Sequence, residues 1–284
     1  ENNGPRGRIS LMRSVVDGRL GVGPEVRKHL ELCLDCRACE TACPSGVQYG
    51  KLIEPFKIEM VRDAPAGKGL SLIQKVVLHH LFPYAGRVRA ALLPVRGLQK
   101  LGLMKLVERS GLLKLLPPTL RNMAAMVPTL QPASNLPEIL PAIGPKRARV
   151  GLFLGCVTDV MTPQTTGATA RVLRRNGCEV VVARGQACCG AIHYHSGAEA
   201  PALELARQNM NAFDFENLDA IVVNAAGCGA MFKDYGHILP PEERERGARF
   251  AAKVKDVSEF LAALGPIPPA HAVPMKVTYH DACH

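Results

Sequence analysis

Residues Glu31 to Gly46, ELCLDCRACETACPSG, hold Cys33, Cys36, Cys39 and Cys43 within eleven positions, with Pro44 after the last. Thiols at that density are ligands for metal or redox chemistry. Two-residue spacers let one tight loop wrap three thiolates around one face of an iron-sulfur cubane, and the longer spacer throws the fourth elsewhere. Structural zinc is the competing reading, but zinc sites usually draw paired ligands from separate points rather than three thiols in seven residues. A second set is dispersed: Cys156, the adjacent pair Cys188 and Cys189 before Gly190, and Cys228. Four thiolates fit a 4Fe-4S cluster or a tetrahedral zinc.

Dispersed ligands need a scaffold that brings them together. Apolar runs at Ala148 to Leu154, Glu179 to Ala183, Ala220 to Val223 and Lys276 to Tyr279 are expected as strands, with helices over Thr162 to Asn176 and Glu199 to Phe213. That alternation predicts a mostly parallel sheet. Each cysteine of the second set falls just past a strand, as Cys283 does after the last. Ligands bind outside the carboxyl ends of such strands, so the four are expected to converge there. Cys178 begins a strand and is expected to be a buried small hydrophobe. His193 and His195 are expected to pack, or to hydrogen-bond cluster sulfur, rather than to ligate. Glycines beside the cysteines, among them Gly155, Gly190, Gly227 and Gly229, are expected to shape the turns.

The whole chain divides into three blocks: residues 1–60 with the cysteine run, a basic, Pro-punctuated helical connector over 61–145, and an α/β block over 146–284. The expected class is therefore α+β / α/β. With 284 residues, 47% hydrophobic and 21% charged, the composition is that of a folded chain rather than a disordered one. Ten cysteines in a chain this long indicate metal or redox chemistry in a reducing compartment rather than a secreted disulfide scaffold. No apolar run reaches the roughly 18 to 20 residues that span a bilayer. The expected location is cytoplasmic, with at most peripheral contact at the inner membrane face. Both ends look cut, so a fragment is expected. The net charge of +10 is concentrated between Pro65 and Leu136, where ten Lys or Arg face the single acid Glu108. That stretch is expected to offer a basic surface to an anionic membrane or an acidic partner. A dinucleotide fingerprint, a P-loop and an evident Ser-His-Asp arrangement are all missing from the sequence, so substrate oxidation is expected on another subunit.

The run CxxCxxCxxxCP is similar to that of bacterial ferredoxins, whose fourth cysteine ligates the other of two clusters. The segments GCVTDVMTPQT, CysCysGly at 188–190 and NAAGCGAM resemble the cysteine-rich CCG domain of heterodisulfide reductase-related proteins. Together with PRGRISLMR, CLDCRACETACPSGVQYGKLIE, RGQACCGAIHYHSG and YHDACH, they resemble the family of glycolate oxidase iron-sulfur subunits. That resemblance implies two ferredoxin-type 4Fe-4S clusters in the full-length protein and a further cluster at the CCG site, with Cys283 opening a second CCG repeat. It also implies FAD-containing partner subunits, a quinone-linked acceptor and no nucleic-acid partner. The related complexes for lactate, glycerol 3-phosphate or heterodisulfide share this architecture, and a non-redox zinc scaffold is the alternative of another class. The sequence departs from the heterodisulfide reductase pattern after Cys228, where Gly229, Ala230 and Met231 replace the second thiol of a CxxC. A five-cysteine cluster is therefore not expected.

Overall fold

The computed structural model describes residues 1–63, 76–104, 107, 110–111, 121–122, 127–269 and 271–278. The C-terminal half builds a sheet from β1 Ile139–Leu140, β2 Ala148–Leu152, β3 Cys178–Val181, β4 Ala220–Val223 and β5 Val254–Asp256, in the order β1-β3-β2-β4-β5. Strands β2 to β5 are parallel, with Val150 opposite both Val180 and Ala220, and β1 pairs antiparallel with β3. Alternate residues bury opposite faces. Val150, Leu152, Val180 and Val222 pack with Leu173 and Phe260 on one side. Phe153, Ile221 and Val223 pack with Met210, Phe232 and Phe250 on the other. Burial on both faces is what near-continuous apolar strands require.

The connection from β2 leads to β3 on one side, whereas that from β4 leads to β5 on the other. Loops leaving β2 and β4 therefore diverge and open a crevice at the carboxyl edge. Sequence expectation and structure agree closely for β4 and for the helix Pro163–Arg175, which Gly177 follows at φ +81°. The strand expected at Lys276 to Tyr279 is a correction. Lys276, Val277 and Thr278 form no strand, and Tyr279 lies outside the described residues. The last strand is instead β5, because buried Val254 gives it a place beside Ile221, whereas Lys276 to Thr278 are exposed. Cys283 also lies outside the described residues.

The N-terminal part is helical: Pro5–Val16, Pro24–Glu31, Ala38–Thr41 and Gly50–Arg62. Pro5 and Pro24 stand in the first turns of their helices, where the missing N–H costs nothing. Met12, Val26, Leu30, Tyr49, Ile53 and Met60 form its small core. Connector residues follow as a π-helical turn, Val76–Leu81, then the helices Ala85–Ala91 and Leu93–Lys100. Other connector helices expected between Leu70 and Met126 fall largely outside the described residues. Among the described residues, no helix is long and apolar enough to cross a membrane.

Candidate metal centres

The loop Cys33 to Cys39 coils because two non-glycine residues adopt the left-handed region, Asp35 at φ 53° and Arg37 at φ 56°. Such conformations are uncommon for residues with a side chain, and here they turn the loop back on itself. The Asp35 N–H points at the Cys33 sulfur, 3.4 Å away. Cys33 and Cys36 lie close enough to Cys39 to oppose its ionisation, although burial is the larger cause that raises its pKa. Cys33 is also in contact with the buried Tyr49, whose pKa is raised first by burial and then by that thiol. Cys43 differs: it is ringed by the amides of Val47, Ser45 and Gly46, which lower its pKa. With Cys39 it lines a recess of about 300 Å³ whose other walls include Pro5, Arg6, Ile9 and Tyr49. The run thus brings three thiols into one neighbourhood and sets the fourth on a recess that Cys39 shares.

The second set meets at the sheet edge. Cys156 follows β2, Cys188 and Cys189 follow β3, and Cys228 sits in the first turn of the helix Ala226–Lys233 after β4. Neighbouring thiols lie within hydrogen-bonding reach in a string, Cys156 to Cys188, Cys188 to Cys189 and Cys189 to Cys228. Contact with Cys188, then burial, raises the pKa of Cys156 far above the usual thiol value. Cys188 rises to about 12, since Cys189 and burial outweigh the lowering by Cys156. Cys189 is raised as well: contact with Cys188 lowers its pKa, but Cys228 and burial more than reverse that. Three buried thiols, Cys156, Cys188 and Cys189, that resist ionisation together become anionic only around a cation, so this donor set, with the half-buried Cys228, fits a metal centre.

Besides Gly190, three residues that the sequence does not single out hold this loop. Buried Asn209 accepts from the Ala187 N–H at 3.0 Å and donates to the Cys188 carbonyl at 2.9 Å. The Tyr235 hydroxyl donates to the Cys189 carbonyl at 2.9 Å, and its ring stacks on Phe250 at 5.5 Å and 21°. Gln186 ties the loop after β2 to the loop after β3, accepting from Leu154 N–H and donating to the Leu152 and Ala183 carbonyls. Gly190 has φ +90°, and a Cβ there would stand 3.2 Å from the Ala202 carbonyl. Only Asn209, a polar residue on the inner face of its helix, carries a sequence signal that a search for buried polar side chains would catch.

The connector caps this edge. Pro83 accepts from the Cys188 N–H at 2.9 Å, and the Leu78 carbonyl lies 2.8 Å from Nε2 of buried His193. Pro83 and Ala85 line a small hollow with Gly155, Cys156 and Ala187. Arg89, counted in the basic stretch, is paired with the buried Asp159 and is not free to bind a partner. Burial of Asp159 raises its carboxyl pKa, and Arg89 opposes that. His193 and His195 both turn away from the cysteine sulfurs: His193 towards Leu78 and His79, His195 towards Asp35 and Glu54 of the helical part. Cys178 is buried beneath the sheet among Val150, Val180 and Leu173, away from the other thiols.

The two parts are joined by polar contacts. Arg37 bridges Glu54 and Asp234, each at 2.7 Å. Lys57 donates to the Cys33 carbonyl at 2.7 Å and to the His195 carbonyl at 3.1 Å, which links the two cysteine regions through one ammonium. Gly197 permits the approach, since a Cβ there would lie 2.6 Å from the Lys57 carbonyl.

Comparison with known proteins gives two family matches. Residues 150–233 match the cysteine-rich (CCG) domain, and residues 69–127 match the linker region of glycolate oxidase iron-sulfur subunits. The chain is 42% identical over 291 residues to the "Probable glycolate oxidase iron-sulfur subunit" of Bacillus subtilis (strain 168), covering 100% of this chain and 66% of that protein. It is 33% identical over 272 residues to the "Glycolate oxidase iron-sulfur subunit" of Escherichia coli (strain K12), covering 93% of this chain and 59% of that one. "Lactate utilization protein A" of Geobacillus thermodenitrificans (strain NG80-2) is 36% identical over 139 residues, 48% of this chain and 57% of that protein. The chain therefore spans about two thirds or less of the length of these relatives. No solved structure matches.

Proposed function

Because the chain belongs to the family of glycolate oxidase iron-sulfur subunits, we propose that it is the electron-transfer component of a flavin-dependent 2-hydroxy acid oxidoreductase, with glycolate as the substrate of the whole complex. The observation that carries this reading is the pair of cysteine constellations, one in a tight left-handed loop and one strung along a parallel-sheet edge, joined by Lys57. Cys33, Cys36 and Cys39 hold one ferredoxin-type 4Fe-4S cluster with a thiolate from elsewhere, and Cys43 serves a second beside the recess it lines. Cys156, Cys188, Cys189 and Cys228 hold a third. Iron-sulfur clusters supply one-electron chemistry, which this chain needs in order to divide a flavin's electron pair.

Zinc at the second site is the weaker reading. Zinc thiolates at about 2.3 Å from the metal hold their sulfurs about 3.8 Å apart, all against all. Among the described residues no three cysteine sulfurs lie within 4.8 Å of one another, although neighbours in the string touch. The string does not close into the tetrahedron of a zinc site, and the preference for iron and sulfide rests on the family relationship. The protein's own contribution is positional: Asn209, Tyr235 and Gln186 fix the loop, and the connector, through Pro83, keeps water from it.

The partner is an FAD-containing subunit and the final acceptor is quinone-linked, reached peripherally by way of the basic connector. The test is anaerobic mixing with a glycolate-reduced flavin subunit. Bleaching of the iron-sulfur absorption on glycolate addition, absent with the flavin subunit omitted, supports the reading. Bleaching with lactate alone transfers the substrate to lactate, and no bleaching with any 2-hydroxy acid contradicts the electron-transfer role.

A further inference from the structure

Between the two cysteine regions lies a group of side chains that neither constellation uses. Nδ1 of His195 stands 2.9 Å from Oδ2 of Asp35 and 3.0 Å from Oε1 of Glu54. The two carboxylates and the imidazole are the only His, Cys, Asp or Glu ligand atoms in a group of three or more within 4.8 Å of one another among the described residues. Asp35 is 1% exposed and Glu54 3%, so both carboxylates are out of water. Yet these contacts are ion pairs without hydrogen-bond direction, and both oxygens of Asp35 and Nδ1 of His195 lack a directed hydrogen bond. Buried carboxylate oxygens with no donor are rare, because the desolvation they suffer is left uncompensated.

Distance alone would make the two contacts of Nδ1 hydrogen bonds, so their failure is one of direction. That failure has a geometric meaning. Around a metal at about 2.1 Å from each ligand, two ligands at right angles stand about 3.0 Å apart. A proton placed along the nitrogen-to-metal line would then meet either oxygen at roughly 118°, at the edge where a hydrogen bond is lost. Separations of 2.9 and 3.0 Å with misdirected N–H thus match two edges of one face of an octahedral site.

A cation would enter there in exchange for a proton. Burial lowers the His195 pKa, but Asp35 and Glu54 more than reverse that and raise it to about 9, and once that proton leaves, Asp35, Glu54 and Asp234 face Arg37 and Lys57 with one negative charge uncompensated. Arg37 hydrogen-bonds the same Glu54 oxygen at 2.7 Å and would orient that carboxylate as an outer partner. One nitrogen and two carboxylate oxygens suit a first-row divalent ion such as Mn²⁺, Fe²⁺ or Zn²⁺ better than Ca²⁺, which takes oxygens alone, or Cu⁺, which takes sulfur. The His195 side chain is 21% exposed, so water can reach the remaining coordination positions.

We infer that His195, Asp35 and Glu54 form a mononuclear divalent-metal site that clamps the helical part to the CCG part. Two ligands come from the first part and one from the helix Ala191–His195 that follows the cysteine pair. Metal binding would therefore lock the spacing of the two cysteine regions, independently of which substrate the complex oxidises.

Mn²⁺ is the probe, because free Mn²⁺ gives a six-line EPR signal that binding removes. The cluster-loaded full chain is titrated anaerobically. One Mn²⁺ bound per chain is expected, at least about tenfold more weakly in His195→Gln and in Glu54→Gln, with iron content and visible absorption unchanged. Where a variant loses its iron or fails to fold, the pulsed-EPR spectrum of Mn²⁺ on the native chain decides: one imidazole ¹⁴N coupling supports the site, and its absence overturns it. No binding by the native chain, which an imidazolium held between the carboxylates would give, overturns it as well. So does equal binding by native protein and folded variants.

Discussion

Asn209→Ala removes the side chain that spans the cysteine-pair loop. Its Oδ1 satisfies the Ala187 N–H at 3.0 Å and its Nδ2 the Cys188 carbonyl at 2.9 Å, in a place where Asn209 itself is 0% exposed. A buried polar group left without a partner costs about 1–3 kcal/mol. The orphaned N–H lies near the middle of that range and the carbonyl, with a second lone pair, near its floor, so the total is about 3 kcal/mol. Tyr235→Phe removes only the 2.9 Å bond to the Cys189 carbonyl and leaves the ring on Phe250, so about 1 kcal/mol is expected. Asn209 Nδ2 also reaches the Tyr235 hydroxyl at 3.4 Å, so the double variant should lose less than the sum. Urea unfolding of the metal-free chain reads these values without irreversible cluster loss. An Asn209→Ala midpoint within about 0.5 kcal/mol of the native one, or full additivity of the pair, would refute the hydrogen-bond account.

Gly190→Ala should destabilise by about 1–2 kcal/mol, read by the same unfolding assay, because φ is +90° and the new methyl meets the Ala202 carbonyl at 3.2 Å. Arg37→Met leaves Glu54 buried without its guanidinium, at a cost of about 3 kcal/mol, and Arg37→Lys should not restore it, since one ammonium cannot span Glu54 and Asp234; unfolding midpoints of the three proteins check both statements. Glu259 has its carboxyl pKa lowered to about 2, mainly by Lys255, so its contribution is present above pH 4.5 and is lost as pH falls through about 2. The urea-midpoint gap between native protein and Glu259→Gln should accordingly be full at pH 7 and narrow below pH 4.5.

Much of the sheet was legible because apolar runs bounded by Gly and Asn have few alternatives: Ala220 to Val223 is a strand buried on both faces, and the helix Pro163–Arg175 stops just before Gly177 as expected. The convergence of Cys156, Cys188, Cys189 and Cys228 followed from their places after strands. The edge strand was misplaced because Lys276 to Thr278 is as apolar locally as Val254 to Asp256, and only tertiary burial of Val254 separates them. Arg89 was counted as surface charge, since nothing in the sequence reveals that Asp159, seventy positions away, is buried against it. His195 was weighed only against the nearby cysteines, because its partners Asp35 and Glu54 come from the other end of the chain. Asn209 and Tyr235 were missed for the same reason: what they do is set by loops distant in sequence.

What most needs measuring is whether the dispersed cysteines carry iron and sulfide rather than zinc. Iron, acid-labile sulfide and zinc measured together on the anaerobically prepared native chain and on Cys189→Ser test it most directly. Iron and sulfide in near-equal amounts are expected in the native protein, with part of both lost and the remainder kept in Cys189→Ser, since Cys33 to Cys43 are untouched. Zinc near one per chain that disappears in Cys189→Ser while iron and sulfide stay constant would contradict it.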